Sequence, residues 1–195
     1  VSAMVASAPG EQVASWLICS HRFQRRYGLG ISRPFPLPVA PFIRSGYLKR
    51  GDTLEELATA CGIDAQGLSA TVSEYNQHAR QGQDPAFGRG STPYNRKQGD
   101  ALHQPNPCVA PIEHGPFYAV KVKPGCFGTF AGLRTDGNAR VLDEAGQPIA
   151  GLYAAGTDMA SVFGGWYPSG GINLGPALTF GYVAGRHIAG VQGYE

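Results

Sequence analysis

The sequence predicts a mixed fold of the α+β or α/β class, and three stretches carry that prediction. Residues 151–190 are typical of a short apolar strand, a glycine-rich loop and a long helix. Residues 53–82 have the capping signals and apolar spacing of two consecutive helices. Residues 117–123, FYAVKVK, alternate apolar and polar side chains as a half-buried strand does. A chain of 195 residues usually forms one or two domains.

Composition narrows the class of protein. Hydrophobic residues make up 43% of the chain, which is enough for a packed core. Charged residues make up 15%, and the formal net charge is only +2, so no strong field favours nucleic acid or a membrane as partner. The 28 glycines and 15 prolines lie among apolar segments, which indicates a loop-rich fold built round a ligand.

The cysteine spacing and the hydropathy pattern predict where the protein is located and whether it binds a metal or spans a membrane. Cys19, Cys61, Cys108 and Cys126 are far apart and form no C-x-x-C pair, so we expect reduced thiols, no metal site and a cytoplasmic location. The sequence contains no run of 18 apolar residues, so it predicts no membrane-spanning helix. The first residues also lack the basic and apolar regions of a signal peptide.

The first half of the chain predicts a helix pair between irregular segments. Residues 16–19 are expected to form a buried strand, residues 21–27 a solvated basic turn, and the proline-rich residues 28–46 an extended connector. Thr53 and Glu56 form a capping-box pattern for a helix that Gly62 ends. Asp64 caps a second helix that ends at Gly82. A nucleic-acid-binding helix pair is disfavoured because the second helix carries no basic patch.

The second half predicts strands that lead into the glycine-rich stretch. Residues 83–116 are expected to be loop, and residues 117–123 a strand. A tight glycine turn over residues 126–132 and a hairpin with flanks at 140–143 and 147–149 follow. Residues 152–155 then re-enter the core as a further strand.

The long helix is expected to start near Gly170 and Gly171 and to run toward Gly190. The first N–H groups of a helix have no partner within it and carry a positive dipole, which suits electron-rich oxygen and nitrogen atoms. Small residues recur along this helix, and each glycine costs about 1 kcal/mol against alanine. We expect close packing on a sheet or a flat ligand to offset that cost. The spacing alone leaves open a helix that packs on a sheet without a ligand.

The run AAGTDMASVFGGWYPSGGINLGPALTFGYVAGRHIAG, residues 154–190, resembles the C-terminal flavin-contacting segment of the fumarate reductase/succinate dehydrogenase flavoprotein superfamily. Its YPSGG loop and LGPALTFGY helix are most similar to the 3-ketosteroid Δ1-dehydrogenase branch. The similarity extends back through residues 128–156 and more loosely to about residue 50. It implies an FAD-dependent oxidoreductase that acts on a ketosteroid-like small molecule.

The resemblance also implies roles for particular residues. The Tyr167 hydroxyl and the Gly171 N–H would bind the ketone oxygen, as the catalytic pair of the similar ketosteroid enzymes does; an aromatic residue packed in a loop is the alternative for Tyr167. The residues implied to contact FAD are Gly156, Thr157, Asp158, Gly170, Gly171, Ile172, Asn173 and Leu174. Thr157 departs from the Glu or Asn usual in the family. The family's tyrosine base lies upstream of the matched residues, and none is assigned here.

The resemblance divides the chain into residues 1–116, part of a substrate-capping domain, and residues 117–195, the C-terminal portion of an FAD-binding domain. The chain has no G-x-G-x-x-G after a strand, where the pyrophosphate of FAD is held. We therefore expect the N-terminal dinucleotide-binding half of the protein to be absent here and to be the partner of this chain. The chain alone would then bind FAD weakly or not at all.

Two other functions stay open at this point. One is a fumarate-reductase-like flavin enzyme acting on another keto or enoyl substrate. The loop residues Phe163, Trp166, Pro168 and Ser169 are uncharged, which favours a hydrophobic ketone over a dicarboxylate. The other is a non-catalytic module without FAD.

Overall fold

The computed structural model describes residues 13–125 and 128–191 and divides the chain into two compact units, Val1–Pro124 and Gly125–Glu195. The division falls eight residues after the domain boundary expected from the sequence, because the strand Phe117–Val122 pairs within the first unit. The assignment of a capping and an FAD-binding role to the two parts stays a prediction.

The first unit is built on a three-stranded antiparallel sheet. Its strands are β1 (Ser15–Ser20), β2 (Leu48–Gly51) and β3 (Phe117–Val122), in the spatial order β1-β3-β2. Alternate residues of β3 enter two separate apolar clusters, one with Leu48 and one with Leu57. The strand expected to be half-buried is therefore central, and its first four residues are buried.

Three helices of the first unit were not predicted. The expected basic turn is helix α1 (His21–Tyr27), because the Ser20 Oγ accepts a hydrogen bond from the Phe23 N–H and Gly28 ends the helix at φ +81°. Short helices α2 (Ala40–Arg44) and α5 (Pro93–Gln98) lie within the stretches expected to be connector and loop. Each has a proline in its first turn, where the missing N–H is not needed.

The predicted helix pair is confirmed as α3 (Leu54–Cys61) and α4 (Ala65–Ala79). Thr53 and Asp64 cap these helices through their side chains, and Gly62 ends α3 in the left-handed conformation. The Glu56 carboxylate accepts from the Asp52 N–H at 2.8 Å, so the reciprocal bond of the capping box goes to the residue before the cap. Helix α4 ends at Ala79 rather than at Gly82.

The Thr53 cap is testable by replacement with alanine. Thr53→Ala removes the acceptor 3.2 Å from the Glu56 N–H. We expect the opening free energy of α3 to fall by about 1 kcal/mol. Amide hydrogen exchange of residues 54–61 in the complete protein measures it. Thr59→Ala on the same helix is the control, since Thr59 caps nothing, and an equal loss there would contradict the cap.

The second unit combines a hairpin with a long helix. Strands β4 (Arg140–Leu142) and β5 (Pro148–Tyr153) pair in antiparallel fashion, so the hairpin is confirmed, while the two segments expected at 147–149 and 152–155 are one strand. Helix α6 is Leu174–Ile188. It starts later than expected because Gly171 has φ +94°, outside the helical region. Cys126 and Phe127, in the expected glycine turn, lie outside the described residues.

Within the described part of the chain, no helix has the length and apolar character needed to span a lipid bilayer.

Candidate functional site

The stretch after β5 turns back toward helix α6 in a short 3-10 turn, Gly156–Asp158. Gly156 has φ +65°, and a Cβ there would lie 3.1 Å from the Ala177 Cβ, so glycine permits both the turn and its approach to the helix. Thr157 and Asp158 are exposed at the tip of this turn. The turn thus presents two polar side chains to solvent beside the first half of α6.

Residues 128–133 lie along this turn and hold it in place through hydrogen bonds and a close backbone contact. Leu133 donates its N–H to the Asp158 carbonyl at 2.9 Å, and its own carbonyl accepts from the Ala160 N–H at 2.8 Å. The Thr129 hydroxyl donates to the Thr157 carbonyl at 3.1 Å. A Cβ on Gly132 would lie 2.5 Å from the Met159 carbonyl carbon, so the two backbones touch there. The position of Thr157 and Asp158 therefore depends on this second segment.

An open cavity of about 590 Å³ lies between these segments and the end of β5. Its lining is Thr129, Ala131, Gly132, Leu133, Tyr153, Ala154, Ala155, Thr157 and Asp158. A hollow of about 20 Å³ lies beside it and includes Gly156, Thr157, Ile172 and Asn173 in its lining. Five of the predicted cofactor residues are thus brought together, whereas Tyr167, Gly170, Gly171 and Leu174 line neither space.

The N-terminus of α6 is open on the side of the glycine loop. No side chain caps the helix, and its first turn carries no acidic residue. The N–H groups of Gly171 and Ile172 donate no hydrogen bond to any described residue, while the Gly171 carbonyl accepts from the Gly175 N–H at 2.7 Å. The Ile172 side chain is buried. Backbone donors, and not side chains, are what this end of the helix offers to a ligand.

Tyr167 lies in the exposed loop before this helix end. Its side chain is 52% exposed, and Trp166 beside it is 80% exposed. Among the described residues no hydrogen bond or ring contact holds the Tyr167 phenol. Tyr167 is therefore half-exposed in the described residues, and its role stays a prediction.

No described residue packs on the glycine face of α6. A Cβ on Gly175, Gly181 or Gly185 would meet nothing within 4 Å among the described residues. The buried side of the helix is instead Val183 and Ala184, and Phe180 packs on a buried cluster of Val141, Ala154 and Met159. The described residues thus provide no sheet on this face, and the flat ligand expected to compensate for the glycines stays a prediction.

The charge around the site is sparse. Residues 141–185 contain three acidic side chains and no lysine, arginine or histidine. Although burial opposes ionisation of Asp136, its hydrogen bonds from Arg140 and Asn138 hold the pKa of that carboxyl below its usual range, and they fix the turn before β4. Within the residues described, no group of three His, Cys, Asp or Glu side chains lies close enough together to hold a metal ion.

Sequence reasoning missed the residues that hold the site together. Thr129 acts through its hydroxyl on the Thr157 carbonyl and Gly132 through a close backbone approach, and no sequence motif marks either contact. The Tyr153 hydroxyl lies 2.8 Å from His187 Nδ1, which ties the cavity wall to the last turn of α6. A separation of 34 residues gives no local signal of that pair.

Comparison with known proteins identifies the family. A family model described as FAD binding domain matches residues 1–174. The chain belongs to this FAD-binding family. FAD is therefore its cofactor, and the resemblance found in the sequence is confirmed.

Two curated relatives in this FAD-binding family are dehydrogenases of cyclic ketones by name. The 4-oxocyclohex-2-ene-1-carboxylate 5-dehydrogenase of Sinomonas cyclohexanicum is 50% identical over 187 residues, which are 95% of this chain and 32% of that protein. The 3-oxosteroid 1-dehydrogenase of Mycobacterium tuberculosis (strain ATCC 25618 / H37Rv) is 42% identical over 185 residues, 95% of this chain and 33% of that protein. This chain thus spans about a third of the length of these relatives.

A solved structure also matches this chain over nearly its whole length. The 3-ketosteroid Δ1-dehydrogenase from Sterolibacterium denitrificans, in complex with 1,4-androstadiene-3,17-dione, superposes with a TM-score of 0.87 at 44% identity. The superposition covers 96% of this chain and 34% of that chain.

Proposed function

We propose that the complete protein is an FAD-dependent dehydrogenase that introduces a double bond next to the carbonyl of a cyclic ketone. The observation that carries the proposal is the open helix end after Tyr167, where the Gly171 N–H has no partner in the described residues. The Tyr-x-x-x-Gly spacing puts a phenol and this N–H in one short loop. The names of two relatives support a cyclic ketone as substrate, because each name specifies an oxo group on a ring.

The residues of the second unit fit the cofactor that the family implies. Gly156, Thr157 and Asp158 would hold polar atoms of FAD beside the 590 Å³ cavity. The segment from Gly170 to Leu174 would offer its backbone N–H groups to an electron-rich edge of the cofactor, because the dipole of α6 is positive there. Bound FAD supplies the hydride acceptor for the oxidation.

Tyr167 and Gly171 would act on the substrate. Two donors on the ketone oxygen make the neighbouring C–H more acidic, and they stabilise the negative charge that develops on that oxygen as the proton leaves. Tyr167 is half-exposed, so its hydroxyl is accessible to a ligand. We assign no base to this chain; the group that removes the proton is a separate question.

The charge of the loop supports a ketone over a dicarboxylate. A dicarboxylate needs cationic side chains to bind its two carboxylates, and Arg is the residue best suited to that task. Residues 159–185 contain no Lys, Arg or His. This part of the site therefore offers hydrogen-bond donors and apolar surface, which match an uncharged carbonyl on a hydrophobic ring.

Substrate oxidation by the complete protein tests the proposal. We expect purified protein to contain FAD and to oxidise 4-androstene-3,17-dione or 4-oxocyclohexanecarboxylate with an artificial electron acceptor. The comparison assay measures the reduction of fumarate with a reduced dye as electron donor. Faster turnover of fumarate than of either ketone would favour the fumarate-reductase alternative, and absence of flavin would favour a non-catalytic module.

A further inference from the structure

The net charge of the chain conceals a strongly basic segment. From Val13 to Gly51 the sequence contains six arginines and one lysine and no aspartate or glutamate, although the formal net charge of the whole chain is +2. Arg22, Arg33 and Arg44 are exposed on the first unit. The charge averaged over the whole chain therefore does not describe this segment, which is basic.

Large apolar side chains are exposed on the same segment. The exposed fractions are 41% for Phe23, 45% for Tyr27, 63% for Ile31, 62% for Phe35 and 48% for Leu37. Single exposed apolar residues are ordinary on a protein surface, but a group of them marks an interaction site. We call these five residues, together with Arg22, Arg25 and Arg33, the basic aromatic patch.

Helix α1 and the loop that follows it, which together carry the patch, are tied together by hydrogen bonds and a ring contact. The Phe35 N–H donates to the Arg25 carbonyl at 2.9 Å, and the Arg25 guanidinium lies 4.0 Å from the centroid of the Phe35 ring. The buried Gln24 side chain donates to Ser32 Oγ and to the Arg33 carbonyl, each at 3.1 Å. Phe35 and Leu37 thus project from a proline-rich loop that is fixed against the helix.

The arginines of the patch are largely uncompensated. Asp100 pairs with Arg26 at 2.7 Å and accepts a hydrogen bond from the Tyr27 hydroxyl at 2.5 Å. No carboxylate of a described residue lies within ion-pair distance of Arg22, Arg25 or Arg33. Arg22 and Arg33 are therefore exposed without an ion-pair partner among the described residues, and Arg25, which stacks on Phe35, also lacks a carboxylate partner there.

We propose that the basic aromatic patch binds the surface of an anionic lipid bilayer. Arginines contact the headgroups, while the apolar side chains enter the boundary between headgroups and acyl chains. Nucleic acid fits less well, because the aliphatic side chains of Ile31 and Leu37 have no flat face on which a base can stack. Lipid binding is independent of the proposed catalysis, so its failure leaves the dehydrogenase function standing.

Vesicle sedimentation of the complete protein tests this inference. We expect binding to vesicles with about 30 mol% phosphatidylglycerol at low salt, weak binding to pure phosphatidylcholine, and loss of binding at 0.5 M salt. Arg22→Gln/Arg33→Gln should lower the partition coefficient about tenfold or more. Ile31→Ser/Leu37→Ser should lower it by a similar factor while the salt dependence remains.

The matched control also removes two positive charges, but outside the basic aromatic patch. Lys123→Gln/Arg134→Gln replaces two exposed cations outside the patch and should leave the partition coefficient within about twofold. Circular dichroism and flavin absorbance check the fold of each variant. The inference is overturned if the wild-type protein stays in the supernatant, or if the control pair loses as much binding as the patch pairs.

Discussion

Tyr167→Phe in the complete protein is expected to lower kcat for ketone oxidation by about 10²-fold, the usual effect of losing one donor to a developing oxyanion. The substitution removes the hydroxyl and keeps the ring. Because Tyr167 is 52% exposed and its phenol has no partner among the described residues, the fold has little to lose. The KM for the ketone should change less than kcat, since the oxygen carries more charge in the transition state than in the substrate.

Tyr182→Phe provides the control for this prediction. Tyr182 is 60% exposed on α6, and its hydroxyl accepts a hydrogen bond from Arg186 Nη1 at 3.0 Å. Its loss should change kcat less than twofold and leave the flavin content unaltered. A Tyr167→Phe protein with the kcat of the Tyr182→Phe protein would remove Tyr167 from the mechanism.

Gly132→Ala is expected to weaken FAD binding by about tenfold to a hundredfold. The new Cβ would lie 2.5 Å from the Met159 carbonyl carbon and 2.7 Å from the Asp158 oxygen. Both are backbone atoms, so the segment that carries Thr157 and Asp158 must move, and overpacking of this kind costs about 1–3 kcal/mol. The Kd for FAD, measured on reconstituted apoprotein by flavin fluorescence, reports the effect.

Gly137→Ala is the matched control because no atom lies within 4 Å of a Cβ there and its φ is not in the left-handed region. The two substitutions add the same methyl group in the same unit. Equal Kd values for the two variants would show that the contact between residues 132 and 159 does not position the cofactor residues.

The sequence alone determined the features that depend on neighbouring residues. Thr53 and Gly62 delimit α3, and Asp64 begins α4, as predicted, because caps act over three or four positions. The long motif after Ala154 was sufficient for the family and FAD, which the comparisons confirm. The open end of α6 also follows locally, although Gly171 delays the start of the helix to Leu174.

Only the tertiary structure decided what depends on residues distant in sequence. The strand Phe117–Val122 belongs to the first unit because it pairs with β1 and β2, which no local pattern specifies. The same holds for the support of Thr157 by Thr129 and for the link between Tyr153 and His187. The basic aromatic patch also emerges only there, since composition averages charge over the chain whereas folding ties Arg25 to Phe35 on one surface.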